Sequence, residues 1–84
     1  MKNKVLIHLL VPEIDESYDI FIPISLRIGK VLELLNKSLV DMSKGAYQPS
    51  DTKNLYNMED ASIYDINLLV RETNIRNGVN IIIM

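Results

Sequence analysis

The chain contains no cysteine. That excludes disulfide staples, thiolate nucleophiles, thiolate metal ligands and thioester chemistry, and it leaves packing alone to hold the fold. A basic cluster is missing too: nine lysines and arginines are scattered among eleven acidic residues, for a net charge of −2. Phosphate backbones are normally bound by a basic stripe, so nucleic acid is not an expected partner. No apolar run approaches the roughly 20 residues that cross a bilayer, so direct membrane insertion is not expected either. The stretch Val5 to Val11 after the lysine-bearing start is too short for a signal peptide, includes His8, and meets the acidic Glu13-Ile14-Asp15-Glu16 where a small-residue cleavage site would be needed. Repeats, linkers and low-complexity segments are absent, and the 84 residues, 48% of them apolar, suit a single domain spanning 1–84.

What is present is a short series of patterned segments. Val5 to Val11 is rich in strand formers and stops at Pro12. Tyr18 to Pro23 alternates, and pairs with the first segment as a hairpin. Ile28, Val31, Leu32, Leu35 and Leu39 then recur at helical spacing, with the helix beginning at Leu26 to Ile28. Ser25 is the N-cap type of residue nearby, and Gly29 weakens the first turn by up to about 1 kcal/mol relative to alanine. Glu33 and Lys37 form an i, i+4 pair on the solvent side. Ser43 to Asn54 follows neither period and reads as a loop with mobile parts. Leu55-Tyr56-Asn57 and Ser62-Ile63-Tyr64 read as short strands around a turn at Met58-Glu59-Asp60. Ile66 to Ile75 suits a buried connection with a helical turn, and Asn77-Gly78 turns the chain into a last strand, Val79 to Met84.

Two strands, one helix and further strands imply an α+β domain, a ββαββ-type mixed sheet with its single long helix on one face. Parity assigns the faces. Val5, Ile7, Leu9 and Val11 should face the helix, together with Ile20, Ile22, Ile24, Val79, Ile81 and Ile83. The opposite face then carries Leu6, His8, Leu10, Phe21, Ile82 and Met84. That is more apolar surface than a solvated sheet needs, and it is the candidate protein-binding site.

The block Asp19-Ile20-Phe21-Ile22-Pro23 followed by Leu26 to Leu35 resembles the second strand and helix of ubiquitin-like β-grasp proteins, and Ile75-x-x-Gly78 before the closing strand resembles that family's end. Within the superfamily the chain resembles the bacterial YukD/EsaB proteins of type VII secretion. It departs from them at Val79, where relatives often carry aspartate, and in the polar loop before Leu55. The resemblance implies a cytoplasmic, non-catalytic accessory protein. Its partners would be other proteins, including secretion-machinery membrane proteins or an ATPase. Ubiquitin and the sulfur carriers use a flexible C-terminal Gly-Gly whose carboxylate is adenylated. This sequence ends at Ile83-Met84, so conjugation and sulfur transfer are not expected.

Other chemistry is sparse. His8, the sole histidine, has no acid or nucleophile that the sequence places beside it. Glu13, Asp15, Glu16 and Asp19 follow no calcium-loop pattern and read as a solvated acidic turn. No cofactor or metal is expected, and no enzyme. Tyr47, Tyr56 and Tyr64 are either packing residues or contact residues. Two readings follow: an adaptor engaging partners through the outer sheet face, or a subunit that dimerises through that face or along a strand edge.

Overall fold

A computed structural model describes residues 3–84. Strand β1 (Lys4–Val11) runs into a 3-10 turn at Pro12–Ile14, then β2 (Glu16–Pro23), helix α1 (Ile28–Met42), β3 (Leu55–Asn57), a second 3-10 turn at Val70–Glu72, and β4 (Val79–Ile83). The sheet order is β2-β1-β4-β3. β1 pairs antiparallel with β2 and parallel with β4, and β3 pairs antiparallel with β4. The expected α+β arrangement is the one found.

Its hairpin is tighter than the sequence suggested. β2 begins at Glu16, because Asp15 takes a left-handed conformation (φ 53°) that reverses the chain within the turn after Pro12. Alternation then sorts the side chains. Val5, Ile7, Leu9, Val11, Ile22, Ile81 and Ile83 are buried against Ile28, Val31, Leu32, Leu35 and Leu39 of α1. Ile20, Ile24 and Val79 also pack on this core but are only partly buried. For Ile20 the reason is topological: β2 is an edge strand, so no further strand shields its outer flank.

The start of α1 corrects the reading of Ser25 and Gly29. Arg27 occupies the N-cap position and offers no side-chain cap. The first backbone donors are taken instead by carbonyls from a distant loop, Ile28 N–H to Leu68 O at 2.8 Å and Gly29 N–H to Ile66 O at 3.0 Å. A Cβ on residue 29 would lie 3.3 Å from that Ile66 oxygen. Glycine is present because the loop comes this close, which offsets its poor helix propensity. The 66–75 connection holds the expected helical turn, but burial is confined mainly to Val70 and Ile75, while Ile66 and Leu68 are exposed. Glu33 pairs with Lys30 at 3.7 Å, in place of the Lys37 partner that spacing suggested.

Residues 43–54 are irregular but anchored. Tyr47 is buried, and its hydroxyl donates to Asn36 Oδ1 at 2.6 Å. Asn36 also donates to Ser50 O at 3.2 Å. Glu13, read from sequence as part of a solvated turn, accepts from Gln48 N–H at 2.6 Å and from the Lys53 ammonium, which lies 4.0 Å from the centre of the Tyr47 ring. One carboxylate thus ties the β1–β2 turn to the loop.

The hydrogen bond from Lys53, followed by that from Gln48, holds the Glu13 carboxyl below its ordinary value of 4.5. A depressed folded pKa contributes stability above the ordinary value, and that contribution disappears as pH falls through the lowered one. Melting temperature is therefore expected to drop on acidification, and Glu13→Gln to flatten the drop. Asp60, held down by Ser62, leaves a residual slope in the variant. Thermal melts of both proteins from neutral to strongly acidic pH check this, and parallel profiles would refute the latch.

Candidate functional site

The face of the sheet turned away from α1 is laid out by register. Leu10 of β1 lies opposite Ile82 of β4, and Ile82 opposite Tyr56 of β3. An isolated bridge then sets Ile63 opposite Tyr56. Paired residues share a face, so Leu10, Ile82, Tyr56 and Ile63 form one apolar row across the sheet. Two residues beyond Ile82, Met84 continues on the same face, its backbone exchanging hydrogen bonds with Asn54 at 2.9 and 3.2 Å. Leu10, Ile82 and Tyr56 are half-buried. Ile63 and Met84 at the rim are 56% and 57% exposed.

The next row is polar. His8 stands between Asp19 and Asn80, and His8 Nδ1 and Asp19 Oδ1 share a hydrogen bond at 2.7 Å. Beyond it Leu6 pairs with Phe21, which is 51% exposed. The six residues that parity assigned outward all lie on that side, yet they do not make one patch. Leu10, Ile82 and Met84 belong to one group and Leu6 and Phe21 to another, with His8 in the dividing row. Strand-direction spacing of about 6.6 Å between alternate residues keeps the two groups a full row apart.

Sequence reasoning missed Tyr56 and Ile63 as members of the row. The signal was the alternation Leu55-Tyr56-Asn57, with Leu55 and Asn57 buried and Tyr56 outward. Three residues are too few for a period to be read before the β4 register is known. The second short strand, Ser62 to Tyr64, is reduced to the bridge at Ile63, while Tyr64 N–H donates to Leu55 O at 2.9 Å. Tyr47 and Tyr64 are buried packing residues, and Tyr64 joins Asn57 at 3.0 Å and Asn74 at 2.9 Å through its hydroxyl.

The arrangement offers contact area and little chemistry. His8 has Asp19 for a partner but no side-chain nucleophile in its row. Among the described residues no three histidine or acidic side chains gather into a metal-binding group. No helix among them is long and apolar enough to cross a membrane. A hollow of about 490 Å³ is an open groove between α1 and residues 49–54, and Asn36 and Lys53 in its wall are already hydrogen-bonded.

No protein-family model and no curated protein sequence matches the chain. Solved structures do. A chain of the toluene 4-monooxygenase HD complex superposes with a TM-score of 0.76 at 9% identity, over 95% of both chains. The ubiquitin-like domain of an Arabidopsis thaliana protein gives 0.71 at 10% identity, over 98% of this chain and 77% of that one. A chain of the ESX-5 inner membrane complex gives 0.71 at 11% identity, covering 98% of this chain and only 21% of its own length. At such identities the likeness is one of fold, and the fold is the ubiquitin-like β-grasp.

Proposed function

We propose that the chain is a ubiquitin-like protein-binding module that engages partners through the outer row Leu10-Ile82-Tyr56-Ile63 and the neighbouring Met84. The observation that carries this reading is that α1 covers the opposite face and leaves an apolar row crossing three strands and the Ile63 bridge. Aromatic and aliphatic side chains at the centre with a polar margin, here His8, Asp19 and Asn80, match the make-up of protein interfaces. The module has no enzymatic role in this reading, and it acts in the cytoplasm.

The setting we infer is an accessory or regulatory role in a type VII secretion system. The YukD/EsaB resemblance supports it, as does the likeness to one segment of a chain in the ESX-5 inner membrane complex. Secretion-machinery membrane proteins or the cognate ATPase are then the partners.

Leu10→Asp sets a charge in the centre of the row on a half-buried position and is expected to leave the domain folded. Pull-downs from native cytosol and membranes, with the wild-type chain and the variant compared by mass spectrometry, test the assignment. Secretion components captured by wild type and reduced about tenfold or more with the variant are the expected outcome, since a charge at an interface centre costs at least 1–2 kcal/mol. Repeated absence of those components would overturn the secretion setting. A tight homodimer in light scattering, dissociated by Leu10→Asp, would replace the adaptor by a self-assembling subunit.

A further inference from the structure

Asn77-Gly78 is the one place in the chain where glycine follows an asparagine. An asparagine carboxamide is open to attack by the backbone nitrogen of the next residue, and a side chain on that residue hinders the attack. Glycine presents none, and the space beside it is free: a Cβ on residue 78 would meet nothing within 4 Å. Both residues are exposed. They form the corner of a turn closed by Val79 N–H donating to Arg76 O at 3.1 Å. Gly78 has φ +85° and Asn77 a negative φ, which makes it a type II turn.

The same two residues hold the start of β1. Leu6 N–H donates to Asn77 Oδ1 at 2.8 Å, and Gly78 N–H donates to Leu6 O at 2.8 Å. The register of β1 with β4 begins one residue later, at Ile7 opposite Val79. The Asn77 side chain therefore takes the part of a strand carbonyl and carries the ladder past the end of β4. Both backbone groups of Leu6 are committed to this clamp.

Clamp and cyclisation compete for the same atoms. Attack brings the Gly78 nitrogen to Asn77 Cγ, and from a type II turn the peptide plane between the two residues must first rotate. That rotation withdraws Gly78 N–H from Leu6 O, and the attack consumes the carboxamide that holds Leu6 N–H. We propose that Asn77 is a self-modification site gated by Leu6, inert while the clamp is closed and deamidated when the start of β1 lifts away from β4. The reaction needs only water. A bond forms between Gly78 N and Asn77 Cγ, the Cγ–Nδ2 bond breaks, the amide proton passes to the departing nitrogen, and ammonia leaves. Water then opens the succinimide at either carbonyl, giving aspartate or isoaspartate. Aspartate keeps an oxygen where Leu6 N–H expects one. Isoaspartate routes the main chain through the side chain and adds a methylene between residues 77 and 78, so the two arms of the clamp no longer match Leu6. That product fixes the opening in place.

The test uses the intact chain and a blocked peptide of residues 74–80, held in the same warm, mildly alkaline buffer. Peptide mapping by mass spectrometry times the loss of Asn77 in each and separates aspartate from isoaspartate by retention. Amide NMR gives the hydrogen-exchange protection of Gly78. The folded chain should deamidate more slowly than the peptide by the factor that protects Gly78, to within about threefold. In the purified isoaspartyl chain the Leu6 amide should exchange about tenfold faster or more, with Tyr56 on β3 unchanged. Asn77→Asp, which reproduces the other product, should keep Leu6 protected. Equal rates in chain and peptide would show that the clamp gates nothing. A folded rate far below the one exchange predicts would put the gate elsewhere, and an isoaspartyl chain with Leu6 still protected would remove the lock. Each of these overturns the proposal, as does an isoaspartyl chain whose Tyr56 exchanges as fast as its Leu6, since the opening would then be global unfolding.

Discussion

Tyr47→Ala is expected to destabilise the domain by about 4 kcal/mol, within the range for deleting a buried aromatic ring. The residue is 1% exposed although its segment has neither helical nor strand period. Three kinds of contact are lost together: the packing of the ring on the core, the hydroxyl's bond to Asn36 at 2.6 Å, and the cation–π contact with Lys53 at 4.0 Å. Domains are typically stable by about 5–15 kcal/mol, so one substitution removes a large share. Tyr47→Phe separates the contributions. It keeps the ring and loses only the hydroxyl bond, a loss of about 1 kcal/mol, because Asn36 Oδ1 still accepts from Ser50 N–H at 3.3 Å. Urea unfolding of both variants measures the difference. A cost below about 1 kcal/mol for the alanine variant would mean that the loop contributes little to the fold.

Gly29→Val should be the second costly change, at about 2–3 kcal/mol, the usual penalty for forcing atoms into an occupied space. A Cβ there already stands 3.3 Å from Ile66 O and 3.5 Å from Ile66 Cβ, and the valine methyl groups need more room still. The loop must retreat, and it carries the two carbonyls that cap Ile28 and Gly29. Gly29→Ala is the control. Its gain of about 1 kcal/mol in helix propensity works against the tight contact, and the two should nearly cancel. Denaturant unfolding combined with amide exchange at Ile28 tests both effects. A valine variant as stable as wild type would show that the loop moves freely.

These two residues mark where sequence reading ran short. Both lie in contacts made outside any regular element pairing, Tyr47 with Asn36 and Lys53 on either side of it in the chain, and Gly29 with the distant Ile66. Neither contact follows a period. Gly29 looked like a weakness because helix propensity is a local quantity, whereas its role is set by a loop 37 positions away in sequence. Glu13 is the same case: four acidic residues close together read as a solvated turn until Lys53 and Gln48 are placed beside one of them.

The candidate surface divides along the same line. Parity alone identified the outward side of Leu6, His8, Leu10, Phe21, Ile82 and Met84, because successive side chains of any strand alternate across the sheet. Parity says nothing about which neighbour a residue meets. That depends on register: a parallel β1–β4 pairing sets Leu10 beside Ile82, and an antiparallel β1–β2 pairing sets His8 beside Asp19. The division of one imagined patch into an apolar row, a polar row and a Leu6–Phe21 pair followed from those registers, as did the entry of Tyr56 and Ile63.

By itself, then, the sequence determined the first two strands, the helix and the closing strand, the buried face of each, and the α+β class. Periodicity is written into consecutive residues, and burial of the apolar set enforces it. Only the tertiary structure decided the strand order that leaves β2 at an edge, the partners of Glu13, Gly29 and Tyr47, and the side-by-side arrangement of the outer face. Each of these depends on residues brought together across loops, where the physical constraint is the meeting of two distant segments and neither one alone records it.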